Sequence, residues 1–576
     1  MEANLRLPIA VEAVDPLSLV PDPGEMSDLY IDARLSPENP GGYADGMSLA
    51  CAIPNRPYGE IVADYQSKRH KTDFSPINFW NENFITPDFG QQTIVAPEGM
   101  DIDSYMQLVR PLLKRTSIED GSFDFALPHA YPGAGGRFSR HLFPWDAYHT
   151  MKGYAADKEW GEIIDVVDNM EYEILKFGYM PNGNSGMYAS RFQIPYFSHS
   201  VRMLSEEFGG DALRRYLPAM EREYRYFMLG RQDMEGADTP VGEVAASRCV
   251  VQMPDGSFLN RYWDDADGPR LESYLEDIEM GKLVVSGLSG VIRERRLQKF
   301  YKDMRAAAAS GWDFSSRWFA DGQNIESINT TDIVPVDLNC LILDSEETLS
   351  AAYAAEAKAT FDSEEASRLW VKSTEYQQMA ESRKQAIDKY TWNPEAKTFQ
   401  DYNYVLRRQT DVLSPAMAYP LYIGMANAEQ SFGVARALRD NLLLAGGFAC
   451  TLNETGEQWD GKNVWAPPNW AATRGLARMA HVLMQQGVDT EELFQLSEVG
   501  RANFMTGVEK VFNMYGIIPE KINGVDPTML AGGGEYALVK VLTMTLETYR
   551  AMKSWNPRET GGCLPIARLV SESSLA

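Results

Sequence analysis

Apolar residues at helical spacing recur from about residue 60 almost to the end of the chain, separated by long loops rich in Gly, Trp, Asp and Asn. This pattern constrains the fold most, because a helix with one apolar stripe must bury it against a neighbour. Over 202–229, Leu204, Phe208, Leu213, Leu217, Tyr224 and Phe227 share a face. The Ala-rich stretch 346–390 alternates helix formers with acids, and Asp362 three residues before Glu365 predicts a capped helix start inside it. Residues 426–444, 468–486, 490–515 and 536–554 read the same way. Strand signals are few: 249–253 and 257–259 around a Pro-Asp-Gly turn predict one short hairpin, and 398–406 is the other candidate. The loops 131–148, 260–277, 310–339, 456–470 and 518–536 are of the length that usually carries function. No low-complexity linker divides the chain. The reading is all-α: an irregular segment 1–60 packed on one large helical domain 61–555, with a flexible tail 556–576.

Composition narrows the partners. The 576 residues, which by length alone suggest three or four domains, hold 54 Lys+Arg against 81 Asp+Glu, a net charge of −27. That balance argues against nucleic acid, and a neutral substrate is indifferent to it. With 44% hydrophobic and 11% aromatic residues the chain is not disordered. Cys51, Cys249, Cys340, Cys450 and Cys563 lie far apart, so neither a disulfide scaffold nor a zinc site is expected. The six histidines form no metal motif. No apolar run is long enough to span a membrane, and the start does not read as a secretory signal. The expected compartment is the cytoplasm, or the periplasm or exterior if a leader has been removed. A monomer is the default expectation.

Four of the twelve tryptophans precede Asp: Trp145-Asp146, Trp263-Asp264, Trp312-Asp313 and Trp459-Asp460. Their irregular spacing and the scarcity of strands exclude a propeller of WD repeats. Aromatic faces with neighbouring carboxylates suit sugars, since the ring covers C–H faces while carboxylates, amides and Arg bond the hydroxyls. Ordinary aromatic packing with a capping Asp is the alternative for any single pair. Glycoside hydrolysis needs two carboxyl groups across the scissile bond. Asp313, flanked by Trp312, Phe314 and Trp318, has neighbours that could desolvate it. Glu520 follows an apolar run, and Glu535 follows three glycines that let backbone approach a ligand. Arg137, Arg191, Arg270 and Arg317 lie in loop-like sequence and could bond hydroxyls or orient acids. Neither a P-loop nor a dinucleotide fingerprint is present, so no cofactor is expected.

These blocks, in this order, resemble the trehalases of glycoside hydrolase family 37. GRF at 136–138 with WDAY at 145–148 is similar to the first family signature. MPNGN at 180–184 with Arg191 and Gln193 follows, then RYWDD at 261–265 with PRLESY at 269–274. SGWDFSSRW at 310–318 and IVPVDLN at 333–339 match closely, and QWDGKNVWAP at 458–467 resembles the second signature. PEK at 519–521 and GGGEY at 532–536 complete the series. The resemblance implies an (α/α)6 barrel with the site at one mouth and hydrolysis of α,α-trehalose with inversion, needing neither metal nor organic cofactor. It implies Asp313 as general acid and Glu520 as general base. It implies substrate contacts at Arg137, Phe138, Trp145, Asp146, Asn182, Arg191, Gln193, Arg270, Glu272, Trp465 and Glu535. Three places depart from the pattern. The first signature begins PGAGGRF, two residues longer than usual. Lys462 and Val464 replace a Pro and a Gly of the second, and Asn469 stands near its usual Gln. After Tyr536 the family's aromatic-amide turn gives way to ALVKVLTMTLETYR. Two other readings stay open on these departures: an inverting hydrolase of another α-glucoside, and a catalytically impaired sugar-binding homologue.

Overall fold

The computed structural model describes residues 5–7, 9–19, 27–36, 49–50, 52–86, 94–116, 124–235, 242–533 and 540–559. Twelve helices carry the architecture. In chain order they are α1 (Ile102–Leu113), α2 (Pro144–Ala156), α3 (Trp160–Phe177), α4 (Phe197–Phe208), α5 (Gly210–Phe227) and α6 (Val336–Ala359). There follow α7 (Ser363–Thr391), α8 (Tyr419–Tyr422), α9 (Ala428–Ala437), α10 (Ala466–Gln485), α11 (Glu491–Tyr515) and α12 (Thr543–Ser554). The even-numbered helices form the inner ring: each touches the next even one, and α12 packs on α2 to close the circle. The odd-numbered helices lie outside. Burial follows this division, with most of α6 inside and only a single stripe of α7, including Tyr376, Ala380 and Ile387, covered. This is the (α/α)6 barrel that the resemblance implies.

Local sequence explains the breaks. The pattern over 202–229 serves two helices, because the chain reverses at Gly209 between inner α4 and outer α5. Asp362 caps α7, accepting from the backbone N–H of Glu364 at 2.8 Å and Glu365 at 3.1 Å. The expected hairpin forms, Val250–Gln252 against Phe258–Asn260, with Ala245–Ser247 as a third strand. The stretch 398–406 instead splits into two-residue strands in different sheets. The segment 1–60, read as irregular, contains the helix Ser27–Arg34, with Leu29, Tyr30 and Ala33 buried. The end of the expected tail, 560–576, lies outside the described residues. Among the described residues no helix is long and apolar enough to cross a membrane.

Connectivity places the loops. Each turn from an inner helix to the next outer one is short, such as Gly209 between α4 and α5 or 360–362 between α6 and α7. The outer-to-inner connections 114–143, 178–196, 228–335, 392–418, 438–465 and 516–542 are long and all lead to the N-terminal end of an inner helix. They therefore gather at one mouth of the ring, and every sequence block noted above lies on them or on the first turn that follows.

Candidate active site

A cleft of about 840 Å³, its open entrance included, lies at this mouth. Asp313 and Glu520 both line it, with Phe138, Trp145, Asp146, Asn182, Arg191, Gln193, Arg270, Glu272 and Trp465. The other two expected residues are not described there. Arg137 has its backbone in the 3-10 turn Gly136–Phe138 but its side chain lies outside the described residues, as does all of Glu535. A short antiparallel pair, β1 (Asn463–Trp465) and β2 (Lys521–Asn523), sets Trp465 opposite Lys521 and so brings the residue before it, Glu520, to the wall. Sequence reasoning missed Ala134, Phe143, Tyr188, Ala308, Gly311, Gln458, Leu542 and Met544, which also line the cleft, as does Trp459 of the Trp-Asp pairs. Gln458 lies inside QWDGKNVWAP at 458–467 and could have been read from it. The apolar ones carry no chemical signal.

The tryptophan-carboxylate loops divide their labour. Trp145, Trp312 and Trp465 all pack on Trp459, with ring centroids 5.4, 5.0 and 4.0 Å away. Three of the four Trp-Asp pairs thus meet in one aromatic cluster at the cleft. The fourth, Trp263, lies instead under the cations of Arg261 and Lys302, at 4.5 and 4.6 Å. Of the four aspartates only Asp146 and Asp313 line the cleft. Asp460 is buried behind it, accepting from Ser315, Ser316, Thr451 and Thr455 and so tying the Asp313 loop to the Trp459 loop. Asp264 accepts from Arg305 at 3.1 Å.

The charges are similarly arranged. Lys521 Nζ donates to Glu520 Oε1 at 3.0 Å, and both side chains are buried. Arg191 donates to Glu272 at 2.5 Å. Its Nη1 stands 3.7 Å from Asp264 and, like its Nε and Glu272 Oε2, makes no hydrogen bond to protein. Buried donors and an acceptor without partners in a polar cleft are what a sugar's hydroxyls would satisfy. Arg270 is held by Asp277 at 2.6 Å with its guanidinium 4.8 Å from the Phe314 ring centre. Gln193 accepts from the Trp145 backbone at 2.9 Å, and Asn182 donates to the Ala308 carbonyl at 3.2 Å. Arg317, the fourth loop arginine, stays out of the cleft. It is buried between Asp337 and Asp401, at 2.6 Å from each, and stiffens the loop that carries Asp313. Burial, with a smaller contribution from the Glu520 charge, pushes the Asp146 carboxyl up to about 7.

Two of the departures from the family pattern meet in space. Thr543 donates its backbone N–H to the Ala134 carbonyl at 2.8 Å and its hydroxyl to Gly133 at 2.6 Å. Gly135 has φ +129°, and a Cβ there would stand 2.0 Å from the Val541 carbonyl oxygen, so only glycine fits. The lengthened first signature therefore packs on the segment after the altered turn, and together they present Ala134, Leu542 and Met544 to the cleft.

Comparison with known proteins agrees with the fold. The trehalase family model matches residues 100–540. The chain belongs to the trehalase family. It is 35% identical over 498 residues to the periplasmic trehalase of Citrobacter koseri, covering 86% of this chain and 80% of that one. It is 36% identical over the same length, with the same coverage, to the periplasmic trehalase of Salmonella paratyphi B. Among solved structures it resembles the neutral trehalase of Saccharomyces cerevisiae, with a TM-score of 0.55 and 20% identity over 83% of this chain and 84% of that one. That likeness supports the family's fold. Both bacterial relatives are periplasmic by name, so the cytoplasmic expectation gains nothing from them.

Proposed function

We propose that the protein hydrolyses α,α-trehalose to two glucose molecules with inversion at one anomeric carbon. Asp313 protonates the bridging oxygen as that bond breaks. Glu520 takes a proton from a water on the opposite face, and the water's oxygen bonds to the anomeric carbon. An inverting pair needs a separation of roughly 6.5–9.5 Å to hold that water. The observation that carries this reading is that two carboxyls from distant loops line one cleft, together with a tryptophan cluster and incompletely paired buried Arg and Glu groups. Phe138, Trp145, Asn182, Gln193, Arg270 and Trp465 would hold the sugars with Arg191 and Glu272, and Arg137 and Glu535 would join them. The names of the relatives favour trehalose as substrate and the periplasm as compartment.

A second reading is favoured by the aliphatic wall of Ala134, Leu542 and Met544, which offers a sugar no hydrogen-bonding side chain: another α-glucoside could be the better substrate. NMR of fresh products tests both. Equal early α- and β-glucose from trehalose is expected, whereas α-glucose alone would rule out inversion. A disaccharide panel in which trehalose is not the best substrate would favour the second reading.

A further inference from the structure

One side chain touches both the loop of the acid and the partner of the base. Gln458, on the wall of the cleft, donates from Nε2 to the Asp313 carbonyl oxygen. At its other end Oε1 accepts from Lys521 Nζ at 3.3 Å. Lys521, 1% exposed, also donates to Glu520 Oε1 and to the Gly533 carbonyl, each at 3.0 Å. The backbone of Gln458 is pinned as well: its carbonyl accepts from Asn463 Nδ2 at 3.0 Å and Trp465 Nε1 at 2.9 Å, both on β1. The amide is thus used in one sense only, its NH₂ toward a carbonyl and its oxygen toward an ammonium. A carboxylate could not donate to Asp313, and an apolar side chain would serve neither partner.

We propose that Gln458 and Lys521 are positioning residues that brace the Asp313 loop against the Glu520 strand and so fix the gap between acid and base. The inference rests on the assignment of Asp313 and Glu520 above. The brace has an electrostatic part. An ammonium 3.0 Å from a carboxylate favours its charged form, which a general base requires. Asp146 on α2 and Asp313 face Glu520 across the cleft, and either one favours the protonated base only in its charged form. Replacing Gln458 by Glu would add a second carboxylate to compete for the ammonium.

The test is steady-state glucose release from trehalose by the full chain across pH, with thermal melting of each variant. Gln458→Met should lower kcat on the order of 10- to 100-fold, as small misplacements of reacting groups do, with KM changed less than about threefold. Gln458→Glu, nearly the same shape, should move the acid limb of kcat/KM to higher pH. Lys521→Arg should retain more activity than Lys521→Met. The double variant Gln458→Met with Lys521→Met should be little worse than the worse single one, because both remove the same brace. Wild-type kcat and acid limb in Gln458→Glu, or losses that multiply in the double variant, would overturn the brace alone. If Gln458→Met melts early, the pH profile of Gln458→Glu decides. A wild-type chain that releases no glucose from trehalose would overturn the functional reading and the brace with it.

Discussion

Residue by residue, the cleft separates carboxyls by environment. Asp313 is partly buried among aromatics, Glu520 sits beside an ammonium, and Asp146 is pushed up to about 7 at the first turn of α2. Two aspartates thus compete as proton donor, and kinetics separate them. Asp313→Asn is expected to lower kcat by roughly 10²–10⁴-fold, the usual share of a general acid or base, and Glu520→Gln by a similar factor. Asp146→Asn should cost less in kcat. The reverse order would transfer the acid's role to Asp146. Stability gives a second readout on the same residue. An acid whose folded pKa lies above its unfolded one binds more protons folded than unfolded between the two values. Its contribution to stability therefore falls as pH rises from about 4 to about 7 and is flat above. At 1.36 kcal/mol per pKa unit the ceiling is about 4 kcal/mol, less whatever water in the cleft screens. Asp146→Asn should accordingly gain melting temperature relative to wild type at pH 8 compared with pH 5. An equal difference at the two pH values would contradict the burial argument.

At the scale of elements, the ring closes where its last helix meets its first. Glu547 on α12 accepts from Arg110 Nε and Nη2 on α1, each at 2.6 Å, and Arg110 also reaches Asp157 just past α2 at 2.7 Å. The approach of α12 to α2 depends on Gly153: a Cβ there would stand 1.9 Å from Glu547 Oε2 and 2.8 Å from its Cβ. Gly153→Ala improves helix propensity but must push α12 or its ion pair aside, and overpacking of this kind costs about 1–3 kcal/mol. Denaturant titration should show a lower midpoint for Gly153→Ala, and an unchanged or higher one would mean the seam yields freely. Helix existence was legible in the sequence because it rests on local periodicity. Its partition was not. One continuous apolar pattern over 202–229 serves an inner and an outer helix, since the reversal at Gly209 leaves the periodicity of neither side broken. The strand reading of 398–406 failed for the complementary reason: strands this short are selected by their partners, and 402–403 pairs with 333–334, far away in the chain.

For the whole molecule, the charge of −27 sets solubility rather than recognition. A neutral disaccharide feels no steering field, so kcat/KM for trehalose should change by less than about twofold between low and high salt. A steep salt dependence would point to a charged substrate. The sequence by itself determined the fold class and the family, because apolar periodicity and the ordered loop blocks are local in the chain. It also pointed to the carboxyls Asp313 and Glu520, since aromatic flanks and block position are written in neighbouring residues. Only the tertiary structure decided which Trp-Asp pairs face the cleft and which, like Asp460 and Asp264, are buried supports, because that depends on how six outer-to-inner connections meet at one mouth. It alone showed that Arg317 braces a loop instead of facing the cleft, that Gln458 spans the acid's loop and the base's partner, and that the lengthened first signature packs on the segment after the altered turn. Each of these is a contact between residues far apart in the chain, and chain order carries no distance between them until the ring closes.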